Sequence, residues 1–505
     1  MTRNRSLGTT VLAVALAAAL VGCTADAGTP QGAESAVSGG TIRVGLDIEV
    51  SSVDPIGNDI GQQSSLVLAN AIYEPLLMDG PRGELVPVLA ESLESDDLID
   101  WTLILRPGLT FSDGAALDAA AVIAHVERAQ NSESAVAQSA QEIVEMTEVD
   151  ETTVEMTLAE ANATFPRYFA RNLGMIGSTT ATDPEGTPLG AGPYRLVSLS
   201  SGSSLTVERN PEYAGDTPAY ADEIIFQFLP DTDSRYQTLA AGTVDVVWIE
   251  TPSLMTQAEA DGLQLALANA TTATAIFNTE QAPFDDPLAR QAVQAAIDRE
   301  ALLQVTNQGQ GALSNGPISS QSEYQTGSTH PEFDPDAARA LLAEYGQPLS
   351  FAYTTDAQPE AMARATAIQQ MLGDVGIEME IDVADVATWG SKLFAKEFHV
   401  IEFVTSGYGD TGSAMTMFEA DSFSNFGGYV NAEVSSLIDQ ARSALTAQER
   451  RDLYNGASEL IVADAAVLFF TESPSGFIAS PKIGGLQDVS DRNVISVSPG
   501  EWWIE

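Results

Sequence analysis

The sequence predicts an α/β protein in which strands and helices alternate and part of the sheet is parallel. The clearest indication lies in the second half of the chain, where residues 351–355 and 377–383 are predicted as strands. Between them, residues 361–375 have helical spacing and are followed by Gly376, a residue type that commonly ends helices. A strand, a helix and a second strand in this order favour two parallel strands.

A second informative stretch covers residues 101–128. Trp101, Leu103 and Leu105 lie on one face of a predicted strand, and a Pro-Gly turn follows it. Asp118 then stands where a helix N-cap is expected, before apolar residues at helical spacing. These features predict a strand, a turn and a helix. A further helix is predicted over a stretch that includes 290–299.

Particular residues in these stretches resemble a known family. The pattern L-R-P-G-x-x-F-x-D-G at 105–114, with a helix ending in Glu-Arg, resembles the signature of family 5 extracytoplasmic solute-binding proteins. These proteins serve ABC importers of the peptide and nickel types. Similar segments recur as YEPL at 73–76 and GTVDVV at 242–247, and as GAGPY at 190–194, where the family has G-T-G-P-Y.

The resemblance implies a fold and its division into domains. We expect a two-lobed fold of the type II periplasmic-binding-protein kind, with an extra subdomain in the first lobe. Lobe I would cover 41–275 with the inserted subdomain at about 66–186, lobe II would cover 276–474, and 475–505 would return to lobe I. Such lobes close over a ligand because the ligand adds contacts to both.

The first residues are typical of a secretion leader. Two arginines precede an apolar run over 11–21, and Leu-Val-Gly-Cys at 20–23 resembles a bacterial lipobox. We therefore predict a signal peptide at 1–22, lipid attachment at Cys23 and a flexible tether over 23–40. The alternative is an ordinary secretion signal with an incidental cysteine. The predicted location is the outer face of the cytoplasmic membrane, or the periplasm.

Composition excludes some classes of function. The 505 residues include 44% hydrophobic and 18% charged side chains, as in an ordinary folded protein. Because 71 acidic residues outnumber 22 basic ones, the formal charge is −49, and nucleic acid would be repelled. The acidity could equally be an adaptation that keeps the protein soluble. Cys23 is the single cysteine, so the chain cannot form an internal disulfide.

No catalytic or metal-binding motif is present in the sequence. The three histidines are far apart, and no H-E-x-x-H, C-x-x-C, G-x-S-x-G or calcium-loop pattern occurs. His125 is expected on the surface of its helix. The acidic pairs at 96–97 and 285–286 are expected to cap helices or sit in turns. We therefore expect no enzyme activity, no cofactor and no metal, with a secreted hydrolase as the alternative.

One segment bears on the ligand. In peptide-binding family members, a segment that resembles 403–417 carries the acid that pairs with the amino terminus of the peptide. This chain has Gly407 where dipeptide binders carry that aspartate, and Asp410-Thr411-Gly412 replaces the family's D-P-D turn. The alternatives are that Asp410 or Glu402 binds the amine instead, or that the ligand is not a peptide. Asp410 could equally be a turn residue that bonds its own backbone.

Other candidate ligand residues follow from the same comparison. Trp389 and Tyr408 could stack on a ligand or belong to the core. Asn58 and Asp59 follow the first strand, where the family's first lobe faces the cleft. Few arginines or lysines occur in these segments, so a carboxylate-rich ligand such as a nickel chelate fits less well than a peptide or a cationic or neutral solute.

These observations predict a function. We expect a monomeric, lipid-anchored receptor that captures a small ligand outside the cell and delivers it to an ABC permease. The expected ligand is a peptide. The same role for a non-peptide solute, including a nickel chelate, is the alternative.

Overall fold

The computed structural model describes most of the chain after residue 35. The described residues are 36–57, 63–80, 84–134, 136–181, 187–320, 322–325, 327, 330–406, 411–486 and 497–505. The strands are β1 Thr41–Leu46, β2 Leu77–Asp79, β3 Leu85–Pro87, β4 Ala90–Glu94, β5 Asp100–Leu105, β6 Ile143–Asp150, β7 Thr153–Leu158, β8 Tyr194–Ser200, β9 Ser204–Arg209, β10 Glu223–Phe228, β11 Val246–Ile249, β12 Gln264–Phe277, β13 Ala312–Leu313, β14 Ser350–Thr355, β15 Glu378–Val383, β16 Val400–Ser406, β17 Val467–Ala479, β18 Ile483–Gly484 and β19 Trp503–Ile504.

The helices lie between these strands. They are α1 Gln63–Ile72, α2 Ala119–Gln130, α3 Val136–Ala140, α4 Thr232–Ala240, α5 Pro252–Ala260, α6 Pro287–Ala295, α7 Arg299–Asn307, α8 Pro335–Tyr345, α9 Pro359–Val375, α10 Val386–Ala395, α11 Thr411–Met415, α12 Ala432–Arg442 and α13 Ala447–Ala463. Within the described segments, no helix has the length and apolar character needed to cross a bilayer.

An 11-stranded sheet forms the frame of the protein. Its strand order is β15-β14-β16-β12-β17-β11-β1-β10-β9-β8, with β13 paired to β17. We call β8 to β11 with β1 the first half-sheet, and β14 to β16 the second half-sheet. The long antiparallel strands β12 and β17 join them. β16 pairs with β12 from residue 271 onward, and β11 pairs with β17 from residue 476 onward. We call the place between these pairings, at 268–271 of β12 opposite 473–475 of β17, the crossover.

The strand directions make both half-sheets point at the crossover. β1 runs parallel to β10 and β11, and β14 runs parallel to β15 and β16. β11 ends at Ile249, which lies opposite Gly476, whereas β16 ends at Ser406, which lies opposite Thr271. The carboxyl ends of the parallel strands therefore approach the crossover from opposite sides. The parallel β14-α9-β15 unit confirms the prediction made for residues 351–383.

A separate four-stranded sheet, in the order β4-β5-β7-β6, packs with α2 around a core of its own. Trp101 from β5 lies 5.4 Å from the ring of Phe165, and Val122 and Val126 of α2 are fully buried. Asp118 caps α2 as predicted, because its side chain accepts a hydrogen bond of 2.9 Å from the Ala121 N–H. We call this part the four-stranded unit. It lies within the stretch of about 66–186 for which the sequence predicts an extra subdomain.

Two sequence expectations were wrong in this region and the next. His125 is only 1% exposed, since α2 turns it inward, and its Nδ1 accepts a hydrogen bond of 3.3 Å from the Gly177 N–H. The single helix over 290–299 is two helices, α6 and α7. Asp298 lies between them and caps α7 through the Ala301 N–H at 3.0 Å.

The GAGPY segment explains why two of its residues must be glycine. A Cβ atom at Gly190 would lie 2.2 Å from the carbonyl oxygen of Ile72, and one at Gly192 would lie 2.6 Å from that of Ala71. The Gly192 N–H donates to the Ile72 carbonyl at 2.8 Å. The segment thus packs backbone against backbone at the end of α1, and it positions β8 at the edge of the first half-sheet.

Candidate functional site

The candidate site lies where the two half-sheets face each other at the crossover. In α/β proteins, ligands bind beyond the carboxyl ends of parallel strands, because loops there are free to carry polar side chains. Asp47 follows β1 directly, and Glu250 follows β11. On the opposite side, Glu402 belongs to β16 of the second half-sheet, and Trp389 belongs to the neighbouring helix α10. The topology therefore brings acidic and aromatic side chains to both sides of the crossover.

Two acids mark the side formed by the first half-sheet. Oδ1 of Asp47 is buried, and no hydrogen bond reaches it among the described residues. Glu250 is exposed to solvent, yet the surrounding protein raises the pKa of its carboxyl, and the negative charge of Asp47 raises that pKa further. The side chain of Trp248, which is fully buried, acts in the opposite direction and lowers the pKa of Glu250. The two carboxyl groups are therefore close enough to repel each other.

The positive charge of Arg235 interacts with both acids, but its side chain is hydrogen-bonded to the backbone. Its Nε donates to the Trp248 carbonyl at 2.6 Å, and Nη1 donates to the carbonyls of Leu229 and Pro230 at 2.5 and 3.2 Å. These carbonyls belong to the ends of β11 and β10. Arg235 thus holds two strand ends together, and it lowers the pKa of Glu250 without an ion pair between them in the described part of the chain.

Glu402 lies on the side formed by the second half-sheet, and its carboxylate is engaged inside the protein. It is 7% exposed, it forms an ion pair with the equally buried Arg364, and it accepts hydrogen bonds from Thr355 at 2.6 Å and Tyr353 at 3.4 Å. Burial of the Tyr353 hydroxyl, and then the negative charge of Glu402, hold the pKa of Tyr353 well above its usual range. These contacts favour a structural role for Glu402 over the predicted contact with a ligand amine.

Trp389 is partly buried next to Glu402. Its indole N–H donates to the Glu402 carbonyl at 3.1 Å, and its ring stacks on Phe403 with centroids 5.9 Å apart and planes 17° apart. Tilted and edge-to-face ring contacts continue from Phe403 through Phe426 to Phe394 and Phe423, and Phe423 is 79% exposed. One face of Trp389 is thus covered by Phe403. Its predicted stacking on a ligand would use the other face.

A polar groove of about 1050 Å³ lies between the four-stranded unit and the segment 412–442. Tyr168, Glu142 and Asn162 line one wall, and Glu419 and Phe423 line the other. The Tyr168 hydroxyl donates to Glu142 at 2.7 Å, so these polar groups already have partners.

Two direct contacts join the four-stranded unit to the second side of the molecule. The Ala163 N–H donates to the Arg442 carbonyl at 2.8 Å. Arg167, which is 5% exposed, bonds to Asp79 at 2.9 Å and also to Glu323 at 3.1 Å. The Glu323 carbonyl in turn accepts from the Arg451 side chain of α13 at 2.9 Å. Arg167 and Glu323 therefore connect α13 to the four-stranded unit.

Several predicted residues lie outside the described residues, so the structure says nothing of them. These are Cys23, Asn58, Asp59, Tyr408 and Asp410. Over the part of the chain that is described, no three histidine, cysteine or acidic side chains converge as a metal site would require. The acidic pairs cap or turn the backbone as expected: Asp286 caps α6, and Asp97 accepts from the Ile99 and Asp100 N–H groups at 2.9 Å each.

The sequence analysis missed Asp47 and Glu250. Each is an acid that interrupts or ends an apolar strand, in VGLDIEV and VDVVWIE. That signal was available, since an acid directly after a parallel strand lies at the edge where ligands bind. Their pairing was not, because β1 and β11 are separated by about two hundred residues and become neighbours only in the sheet.

Comparison with known proteins decides the family. Residues 84–427 match the model of the bacterial extracellular solute-binding proteins, family 5 Middle. The chain belongs to this family. Among curated relatives, the glutathione-binding protein GsiB of Pectobacterium atrosepticum is 28% identical over 469 residues, which cover 87% of this chain and 90% of that protein.

Solved structures share the fold of this family member. The ABC transporter substrate-binding protein CtaP of Listeria monocytogenes superposes with a TM-score of 0.82 at 20% identity, over 92% of this chain and 99% of that one. DppA of Helicobacter pylori, in complex with the peptide STSA, gives a TM-score of 0.77 at 20% identity, over 93% and 99% of the two chains. The predicted two-lobed fold of the type II periplasmic-binding-protein kind is confirmed.

Proposed function

We propose that this protein is the extracytoplasmic receptor of an ABC importer and that its ligand is a peptide or a peptide-like molecule. The observation that carries the proposal is the convergence of both sets of parallel strand ends on the crossover, in a chain of the family 5 solute-binding proteins. A ligand at the crossover contacts both half-sheets at once. Binding then favours the closed arrangement by the free energy of the contacts that only that arrangement permits.

Within this proposal, lobe I covers residues 41–275, lobe II covers 276–474, and 475–505 returns to lobe I. The register supports these boundaries, because β12 pairs with β16 from residue 271 onward and β17 pairs with β11 from residue 476 onward. β12 and β17 are both extended strands at this point. A change of a few of their backbone torsion angles would therefore rotate one lobe against the other.

The attachment to the membrane is also part of the proposal. Cleavage of the leader before Cys23 would expose its amino group and thiol for acylation, and the tether over 23–40 would allow the receptor to reach a permease. Removal of the leader takes Arg3 and Arg5 from a chain of −49, which leaves about −51. So strong a negative charge keeps the receptor monomeric and away from anionic headgroups by repulsion.

A peptide is favoured over the other candidates by charge, because the cations described near the crossover are bonded within the protein. The groups at the crossover are acids and aromatic rings, and the nearby guanidiniums of Arg235 and Arg364 are bonded within the protein. A ligand rich in carboxylates would meet repulsion there. Two of the proteins named above, GsiB and DppA, bind glutathione and a peptide according to their names, and both ligands carry a protonated amine.

Native mass spectrometry of the soluble form, which begins after Cys23, tests this function. Mild activation should release bound molecules, and denaturation should give their masses. We expect peptides or glutathione-like compounds, intact after prolonged incubation with the protein. A single non-peptide mass would assign the receptor to a specialised solute, and shortened peptides that accumulate with time would indicate a hydrolase instead.

A further inference from the structure

An unpaired acidic group lies on the first half-sheet, at the edge that faces the crossover. β1 and β11 are neighbouring parallel strands, paired at Val44 with Val246 and Gly45 with Val247. Both strands end within two residues of these pairs, so Asp47 and Glu250 leave the sheet at the same edge from neighbouring strands, with Asp47 level with Ile249, the residue before Glu250. Both acids therefore lie where a ligand would approach the first half-sheet.

The hydrogen bonding around this pair is incomplete. Oδ1 of Asp47 is buried and receives no hydrogen bond in the part of the chain that is described. Nε1 of Trp248, a residue with 0% exposure, also has no partner at ordinary hydrogen-bond distance there, although the indole is near enough to Glu250 to lower the pKa of that carboxyl. Buried polar atoms in native proteins usually have partners, so two unsatisfied atoms at one place call for an explanation.

The local charge is also incomplete. The two acids carry two negative charges, and Arg235 supplies one positive charge without bonding to either of them in the described part of the chain. Its guanidinium donates instead to the carbonyls of Trp248, Leu229 and Pro230 and to the Thr232 hydroxyl. One further positive charge would balance the cluster. Asp231, at the start of α4, does not offset this deficit, because it is itself an acid and accepts from the Ser234 N–H at 2.8 Å.

The chemistry of the site narrows the missing cation. A divalent metal would need more ligands than two carboxylates, and no group of three suitable side chains is found among the described residues. A primary ammonium has three N–H donors and bonds well to two carboxylates that stand side by side. On the other side of the crossover, Glu402 is already paired with Arg364.

We propose that Asp47 and Glu250 bind the protonated amino group of the ligand, with the indole of Trp248 behind Glu250 to orient it. This inference rests on the proposed receptor function and adds the polarity of the ligand to it: the amino end faces the first half-sheet. It also assigns to this pair the role that the sequence suggested for Asp410 or Glu402.

Titration calorimetry with peptides that differ only in the amino group tests the inference. The probes are Ala-Ala-Ala and propanoyl-Ala-Ala, which lacks the amine but keeps the shape, and glutathione with glutaryl-Cys-Gly as the corresponding pair. The wild type is expected to bind the amine-bearing member of at least one pair at least tenfold more tightly. Asp47→Asn and Glu250→Gln should each reduce that preference at least fivefold.

The control is Glu259→Gln, which removes one negative charge from an exposed position on α5 of the same half. It should leave the preference unchanged. Circular dichroism and thermal unfolding establish that each variant is folded, and either variant of the pair alone suffices for the test. Asp410→Asn serves as the rival variant, and loss of the preference there, with Asp47→Asn unaffected, would overturn the inference.

The outcomes separate the inference from the function beneath it. If the wild type binds both members of a pair equally, or if both variants keep the preference, the amine does not bind to Asp47 and Glu250, although the receptor function stands. If the wild type binds none of the four probes, the peptide-receptor proposal is contradicted, and the inference falls with it.

Discussion

The buried pair of Glu402 and Arg364 gives the most quantitative prediction. Both residues are 7% exposed, and Glu402 also accepts from Thr355 and Tyr353. Glu402→Ala would leave the Arg364 guanidinium buried without its counter-charge. Removing one partner of such a pair costs about 3–5 kcal/mol. We therefore expect the free energy of unfolding to fall by about that amount, whereas the double variant Glu402→Leu/Arg364→Met should recover most of it because no charge remains buried.

Urea unfolding followed by tryptophan fluorescence measures the effect, with ligand affinity measured in parallel. Glu380→Ala, on the exposed face of β15, is the matched control and should change the free energy of unfolding by less than about 0.5 kcal/mol. The structural interpretation of Glu402 would be refuted if Glu402→Ala cost less than about 1 kcal/mol while ligand affinity fell tenfold or more.

Three further predictions follow from other contacts. Glu323→Gln removes the negative charge that pairs with Arg167 and so weakens the contact that joins the four-stranded unit to α13. We therefore expect a larger radius of gyration of the ligand-free protein in X-ray scattering. Glu332→Gln, at an exposed position, should not change it. Burial lowers the pKa of His125 to about 3, and the charge of Arg128 contributes. The unfolded chain therefore binds a proton near pH 6.5 that the native protein refuses, and stability falls by up to about 1.4 kcal/mol per unit as pH drops below 6.5. His125→Gln should flatten this slope between pH 4 and 6.5 in thermal unfolding, and an unchanged slope would contradict the assignment. Gly190→Ala places a Cβ atom 2.2 Å from the last carbonyl of α1, so the melting temperature should fall clearly, and a wild-type value would show that the segment can move aside.

Local patterns predicted much of the fold. Asp118 and Pro335 stood at helix starts and Gly376 at a helix end, and the structure has them there, with Gly376 at φ 89°. These features were predictable because caps and turns depend on neighbours in sequence. The break at Asp298 was missed, although an acid before a charged helical segment is also a cap signal.

The site was less predictable because it is assembled from distant segments. The sequence offered Glu402 as a ligand contact, but Arg364 of α9 pairs with it inside the protein. Asp47 and Glu250 attracted no prediction, since each looks like an ordinary acid at a strand end until the sheet places them together. His125 was expected on the surface because its helix carries charged residues nearby, yet it is buried, and its Nδ1 accepts from the Gly177 N–H.

The central claim is that the ligand binds at the crossover, between the carboxyl ends of both half-sheets. Hydrogen–deuterium exchange, with and without a saturating mixture of random tripeptides, tests it most directly. The account predicts slower exchange on both sides together, at 47–53 and 250–254 from the first half-sheet and at 384–390 and 403–406 from the second. Protection confined to the groove between the four-stranded unit and residues 412–442, with no change at the strand ends, would contradict it.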